Sequence, residues 1–253
     1  MPALALPAGA ALVLGLLVGS FLSVVAWRLP RGESLVWPRS KCPSCGVQLG
    51  ALDNVPLLSW LFLRGRCRRC GDPISARYPI VEATTAVLYV AVVLAADGSR
   101  EIVLGLLLVT FLVPIALIDL DHRRIPNVLT GPAALAAVAA IALLEPAFLP
   151  EALIAGAAAG GFFLLAAVLH PKGMGMGDVK LAGVLGLYLG RAVAPSLLIA
   201  LAAGVLVGAA IIARKGAAEG RRTAVPFGPF LALGAAAGLL AGDGLVEAYL
   251  ARF

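Results

Sequence analysis

The sequence predicts an all-α polytopic membrane protein of about eight transmembrane helices with a cytoplasmic zinc-ribbon-like loop. Three observations carry that expectation. Of the 253 residues 61% are hydrophobic and 13% are charged, and the mean hydropathy is +0.99. That charge is about half the share usual in a soluble domain. Eight apolar segments recur, at about 8–27, 78–97, 101–120, 128–145, 151–170, 178–190, 194–213 and 228–250, and most approach the ~20 residues a helix needs to cross ~30 Å of hydrocarbon. Finally, 17 of the 20 Lys and Arg residues fall in alternate connections, a strong positive-inside signal.

Taken in order, the first segment has no Lys or Arg between Met1 and Ala11. It therefore reads as a span rather than a cleaved signal peptide. The loop from Arg28 to Arg77 holds nine basic residues, Arg39, Lys41, Arg64, Arg66, Arg68 and Arg69 among them, and is expected in the cytoplasm. Arg123 and Arg124 follow the third segment, Lys172 and Lys180 surround the exit of the fifth, and Arg214, Lys215, Arg221 and Arg222 follow the seventh. Only Arg100, Arg191 and Arg252 remain for the other side, where both termini are expected. Topology thus accounts for the net charge of +6, and no nucleic-acid partner is expected. The sixth segment is short and rich in glycine (Gly183, Gly186, Gly190), so it reads as a half-helix or as the start of the seventh. Small residues in segments four to eight point to close helix packing. The expected division is a first span at 1–27, a cytoplasmic zinc-binding loop at 28–77 and a helical membrane domain at 78–253.

The four cysteines form two CxxC pairs, Cys42/Cys45 and Cys67/Cys70, with 21 residues between them and a glycine after each, Gly46 and Gly71. This is zinc-ribbon spacing, in which each glycine permits a tight knuckle that aims two thiolates at one ion. Disulfides are the alternative, disfavoured because the basic loop is expected in the reducing cytoplasm. Four thiolates would close the shell around the ion, which makes the zinc structural.

The expected topology brings two acidic stretches to one face of the membrane. Asp119 and Asp121 end the third segment, and Asp178 opens the sixth within Gly173-Met-Gly175-Met-Gly177-Asp178-Val-Lys180. Alternating glycines there disfavour regular helix, so a loop or a broken helix start is expected. Acids at such depth are costly, which makes them functional candidates. Two carboxylates that approach each other share a proton, and such a pair can activate water and protonate a leaving amine. Ordinary interfacial charge and an ion-coupled transporter are the competing readings. His122 reads as a surface histidine and His170 as structural. Met174 and Met176 suit either an adaptable substrate surface or loop filling.

In combination these residues resemble the bacterial type IV prepilin peptidases, relatives of the GxGD membrane aspartyl proteases. The resemblance runs through Gly19-Ser-Phe-Leu-Ser-Val-Val-Ala-Trp-Arg-Leu-Pro30, the double CxxC, Ser75-Ala-Arg-Tyr-Pro-Ile-Val-Glu82, Asp119-Leu-Asp121 with Ile125-Pro126, and Gly175-Met-Gly177-Asp178-Val-Lys180. It implies that Asp119 and Asp178 are the catalytic pair, because the family's first acid stands six residues before the Ile-Pro pair. Asp121, Gly175, Gly177, Lys180 and Glu82 are then supporting residues. Glu82 suits either amine or leader recognition or a plain helix-end charge. Many relatives carry Asp after that proline, where this chain has Asn127. The resemblance further implies a multi-pass protein of the bacterial inner membrane, in contact with lipid, that cleaves the leader of prepilins and pseudopilins at the cytoplasmic face. Methylation of the new N-terminus with S-adenosylmethionine is implied as well. A zinc-loop scaffold for pilus assembly is the non-enzymatic alternative.

Overall fold

Backbone in hydrocarbon has no water to bond, so each spanning segment must satisfy itself as helix. The computed structural model describes residues 2–170, 174–216 and 225–252, with side chains from residue 7 onward. Lys172, Gly173, Arg221 and Arg222 lie outside the described residues. The helices among the described residues are α1 (Pro2–Arg28), α2 (Leu58–Phe62), α3 (Arg77–Ala95), α4 (Ser99–His122), α5 (Asn127–Leu144), α6 (Leu149–Leu169), α7 (Met176–Leu189), α8 (Val193–Lys215) and α9 (Gly228–Leu250). Among the described residues there is no strand, only the isolated bridges Lys41–Gln48 and Arg66–Pro73.

Seven stretches among the described residues are long and apolar enough to cross a membrane, with Met176–Lys215 counting as one. The difference from eight lies at α7. Its 14 residues rise about 21 Å at ~1.5 Å per residue, short of the hydrocarbon thickness. Gly190, at φ 52°, then breaks it from α8 through the short 3-10 turn Gly190–Ala192.

The chain divides into two units, Met1–Leu94 and Ala95–Phe253. In the first, α1 packs on α3 at glycine: a methyl group on Gly15 would stand 2.5 Å from Ala86 Cα, and one on Gly19 would stand 2.8 Å from Glu82 Cα. Arg28 then folds the exit of α1, donating to the carbonyls of Ser34 (2.8 Å) and Pro38 (2.6 Å).

The second unit buries Leu108, Ile115, Ile141, Phe163, Leu185 and Leu231. Helix α6 lies along α7, and α8 lies along α9, so the Gly190 break passes the chain from one pair to the other. The α6–α7 seam is glycine on glycine, as close packing in lipid requires. A methyl group on Gly186 would sit 2.5 Å from the Ala155 carbonyl oxygen. The buried Tyr188 hydroxyl donates to the Ala133 carbonyl at 2.8 Å and ties α7 to α5. At the end away from the acids, Arg191 pairs with Asp243 and Glu247 while its N–H donates to Glu151, and Arg100 pairs with Glu145 and Glu101. Two of the three cations expected outside are therefore spent on holding helix ends together.

Gly186→Val should force α6 and α7 apart. Overpacking of this kind costs about 1–3 kcal/mol, and a lowered unfolding midpoint in detergent or nanodiscs would register it.

Candidate active site and metal centre

The chain order brings four helix ends together: the C-terminus of α4 and the N-termini of α5, α7 and α9. Asp119 stands in the last turn of α4 and is 5% exposed. Its Oδ2 accepts the backbone N–H of Gly228, the first residue of α9, at 2.8 Å across 109 residues of sequence. A side chain on Gly228 would collide with this carboxylate, since a methyl group there would lie 2.8 Å from Oδ2. The helix stops three residues later where Arg123 turns left-handed (φ 52°) and gives its N–H to the Asp119 carbonyl at 2.8 Å.

Asp178 stands in the first turn of α7, partly exposed. Gly175 caps that helix in extended backbone. Its carbonyl accepts the Asp178 N–H at 3.1 Å, and its own N–H donates to Asp178 Oδ2 at 3.2 Å. Gly177 has a different purpose: a methyl group there would lie 2.9 Å from Ile125 Cβ, so its bareness lets α7 close on the α4–α5 connection. Lys180 Nζ donates to Asn127 Oδ1 at 2.9 Å and fastens the start of α7 to the start of α5. Asp119 at the end of α4 and Asp178 at the start of α7, 59 residues apart in sequence, thus stand at the same end of the bundle.

The helix geometry separates Asp119 from Asp121. Positions two apart on a helix point about 200° apart, and Asp121 is exposed where Asp119 is buried. Met174 packs against the core of this unit, whereas Met176 is exposed. His122 is exposed, and His170 caps α6, its N–H donating to Ala166.

Glu82 lies in the first unit. It is 7% exposed, and its Oε2 accepts the N–H of Leu57 at 2.7 Å. The helix-end charge weighed from sequence is thus a buried acceptor inside α3.

The cysteines make two matching knuckles in the same unit. Gly46 and Gly71 are left-handed (φ 72° and 76°) and donate back to the Cys42 and Cys67 carbonyls at 2.9 Å each. All four sulfurs lie within 4.8 Å of one another, Cys42 and Cys70 at 3.7 Å. A tetrahedral ion with ~2.3 Å zinc–sulfur bonds sets its sulfurs about 3.8 Å apart, so the group could hold one. Backbone N–H groups of Cys45 and Ser44 hold the Cys42 thiol down at about 6. The Asp72 N–H favours the Cys70 thiolate, yet desolvation and three neighbouring thiols push it up to about 12. Beside the quartet, a hydrogen bond from Arg68 at 2.6 Å holds the Asp53 carboxyl below its usual range.

Sequence reasoning missed Gly228. Its signal was available in Pro226-Phe227-Gly228-Pro229, a turn-prone run opening an apolar helix, but nothing local pointed it at residue 119.

Residues 13–96 match the Bacterial Peptidase A24 N-terminal domain and residues 106–212 match the Type IV leader peptidase family. Among curated proteins, the chain is 44% identical over 216 residues to a prepilin leader peptidase/N-methyltransferase of Myxococcus xanthus, covering 83% of this chain and 64% of that protein. It is 37% identical to one of Aeromonas hydrophila, covering 94% of this chain and 92% of the relative. A Bacillus subtilis protein of the same description is 35% identical, with 94% and 96% covered. No solved structure matches.

Proposed function

The chain belongs to the type IV leader peptidase family, and on that premise we propose that it is a membrane aspartyl endopeptidase that removes the leader of prepilins and related pseudopilins, then methylates the new N-terminus. The observation that carries the peptidase assignment is the meeting of two acids, 59 residues apart, at one end of the helical bundle. The relatives' names support the reaction and the substrate class. None of them supports a transporter or a scaffold.

Asp119 and Asp178 are the catalytic pair. Carboxylates that approach each other in such a site titrate as a unit and share a proton. The Gly228 N–H commits Asp119 Oδ2 as an acceptor, so a shared proton is carried on Oδ1 or on Asp178. The ionised member takes a proton from water as the oxygen adds to the scissile carbonyl. The protonated member donates to the carbonyl oxygen and then to the departing amine. Gly228 is a positioning residue for Asp119, and Gly175, Gly177 and Lys180 position Asp178. Asp121 supports from the exposed face of α4. The bias of basic residues supports a cytoplasmic setting for this end of the bundle, in the bacterial inner membrane.

The loop at 28–77 carries structural zinc on Cys42, Cys45, Cys67 and Cys70, which close its shell with thiolate alone. The helical domain that follows, 78–253, carries the peptidase chemistry. S-adenosylmethionine supplies the methyl group. A soluble-type donor site, built on a strand and a glycine-rich turn, does not fit the described residues, which contain no strand.

Asp119→Asn and Asp178→Asn should each cut leader removal by roughly 10²–10⁴-fold, the range of lost acid–base catalysis, while the protein still inserts and melts normally. Processing of a coexpressed prepilin at the parent rate by either variant would refute the pair. Gly228→Ala should lower kcat about ten- to a hundredfold with KM held, the scale of one hydrogen bond to a charged group. Cys45→Ser should reduce bound zinc, as read by elemental analysis of the purified protein. Methylation is checked separately, by the mass of the mature pilin N-terminus.

A further inference from the structure

Helix α2 presents a face that the described residues of its own unit leave bare. Leu58, Leu61 and Phe62 stand three and four positions apart, hence on one side of the helix, and are 51%, 55% and 82% exposed. The opposite side is committed: Trp60 donates its indole N–H to the Ile74 carbonyl at 3.1 Å and packs over Gly65. Three large apolar side chains turned outward on five residues are not a stable arrangement in water.

The depth of α2 follows from its anchor. The N–H of Leu57, which begins the helix, is bonded at 2.7 Å to Glu82, a buried acid on the spanning helix α3. Glu82 lies five residues into α3, about 7.5 Å along its axis. The start of α2 is thereby pinned beside the first turns of a transmembrane helix. Two neighbours mark the same boundary. Trp27 ends α1 at 55% exposure with the Arg31 guanidinium 3.6 Å over its ring, and Ile80 in the first turn of α3 is 60% exposed. Tryptophan with arginine at a span's end is the usual furniture of the headgroup level.

We propose that α2 is an interfacial anchor, its Leu58–Leu61–Phe62 face seated at the boundary between lipid headgroups and acyl chains, so that the cysteine loop rests on the bilayer surface. Arg64 and Arg66, exposed just beyond the helix, then meet headgroup phosphates. Charge selects this occupant over a basic leader peptide, which Arg64, Arg66, Arg68 and Arg69 would repel. The inference rests on α1 and α3 spanning the membrane and stands apart from the peptidase assignment.

The test uses the full chain in nanodiscs with Phe62→Trp, and separately Leu61→Trp, reading emission against the parent protein. The added emission should fall when the acyl chains carry bromine and should be unmoved by iodide in the aqueous phase. Loss of emission to bromine at either position supports the anchor. Emission at both positions that answers to iodide, or to neither quencher, overturns it, whatever the cleavage assay reports.

Discussion

An acid kept at the edge of a bilayer needs donors that are already desolvated and cost nothing further to bury. The free N–H groups at helix starts meet that need, because the helix itself cannot use them. Three acids here are held this way. Asp119 takes the N–H of Gly228 at the head of α9, Asp178 takes that of Gly175 at the head of α7, and Glu82 takes that of Leu57 at the head of α2. Each donor comes with a constraint on the chain around it. At Gly228 it is the absence of a side chain.

Helix α7 is short, because it ends at the Gly190 break. Its first turn must reach Ile125 and Asn127 at one membrane face, yet the helix breaks at Gly190 after 14 residues. A helix that does not span alone must be held by its neighbours. The glycine seam with α6 brings the backbones together, and Tyr188 adds a buried bond to α5. The seating of α7 fixes the backbone of Asp178 at the end of the bundle where α4 closes with Asp119.

In the other unit the order of dependence is reversed. The loop has little apolar core of its own, and its shape comes from turns, the Arg28 contacts and the cysteine quartet. Below ~70–80 residues a single apolar core rarely suffices, and a metal or cross-links commonly make up the difference. Glu82 ties this loop to α3, so a residue that from sequence suits either amine or leader recognition or a helix-end charge serves as an attachment point.

Much was legible in the sequence, for reasons that are local. Spans follow from runs of apolar residues, the cysteine centre from two identical CxxC–Gly knuckles, and Asp119 and Asp178 from their flanking motifs. What tertiary structure alone decided is whom these residues meet. The Gly228 N–H on Asp119 joins positions 109 apart, Lys180 finds Asn127 across 53, and Glu82 finds Leu57 across 25. A backbone N–H carries no side-chain identity, so the sequence around Gly228 or Leu57 does not name the acid that its N–H meets. Only the packing of helix ends selects it.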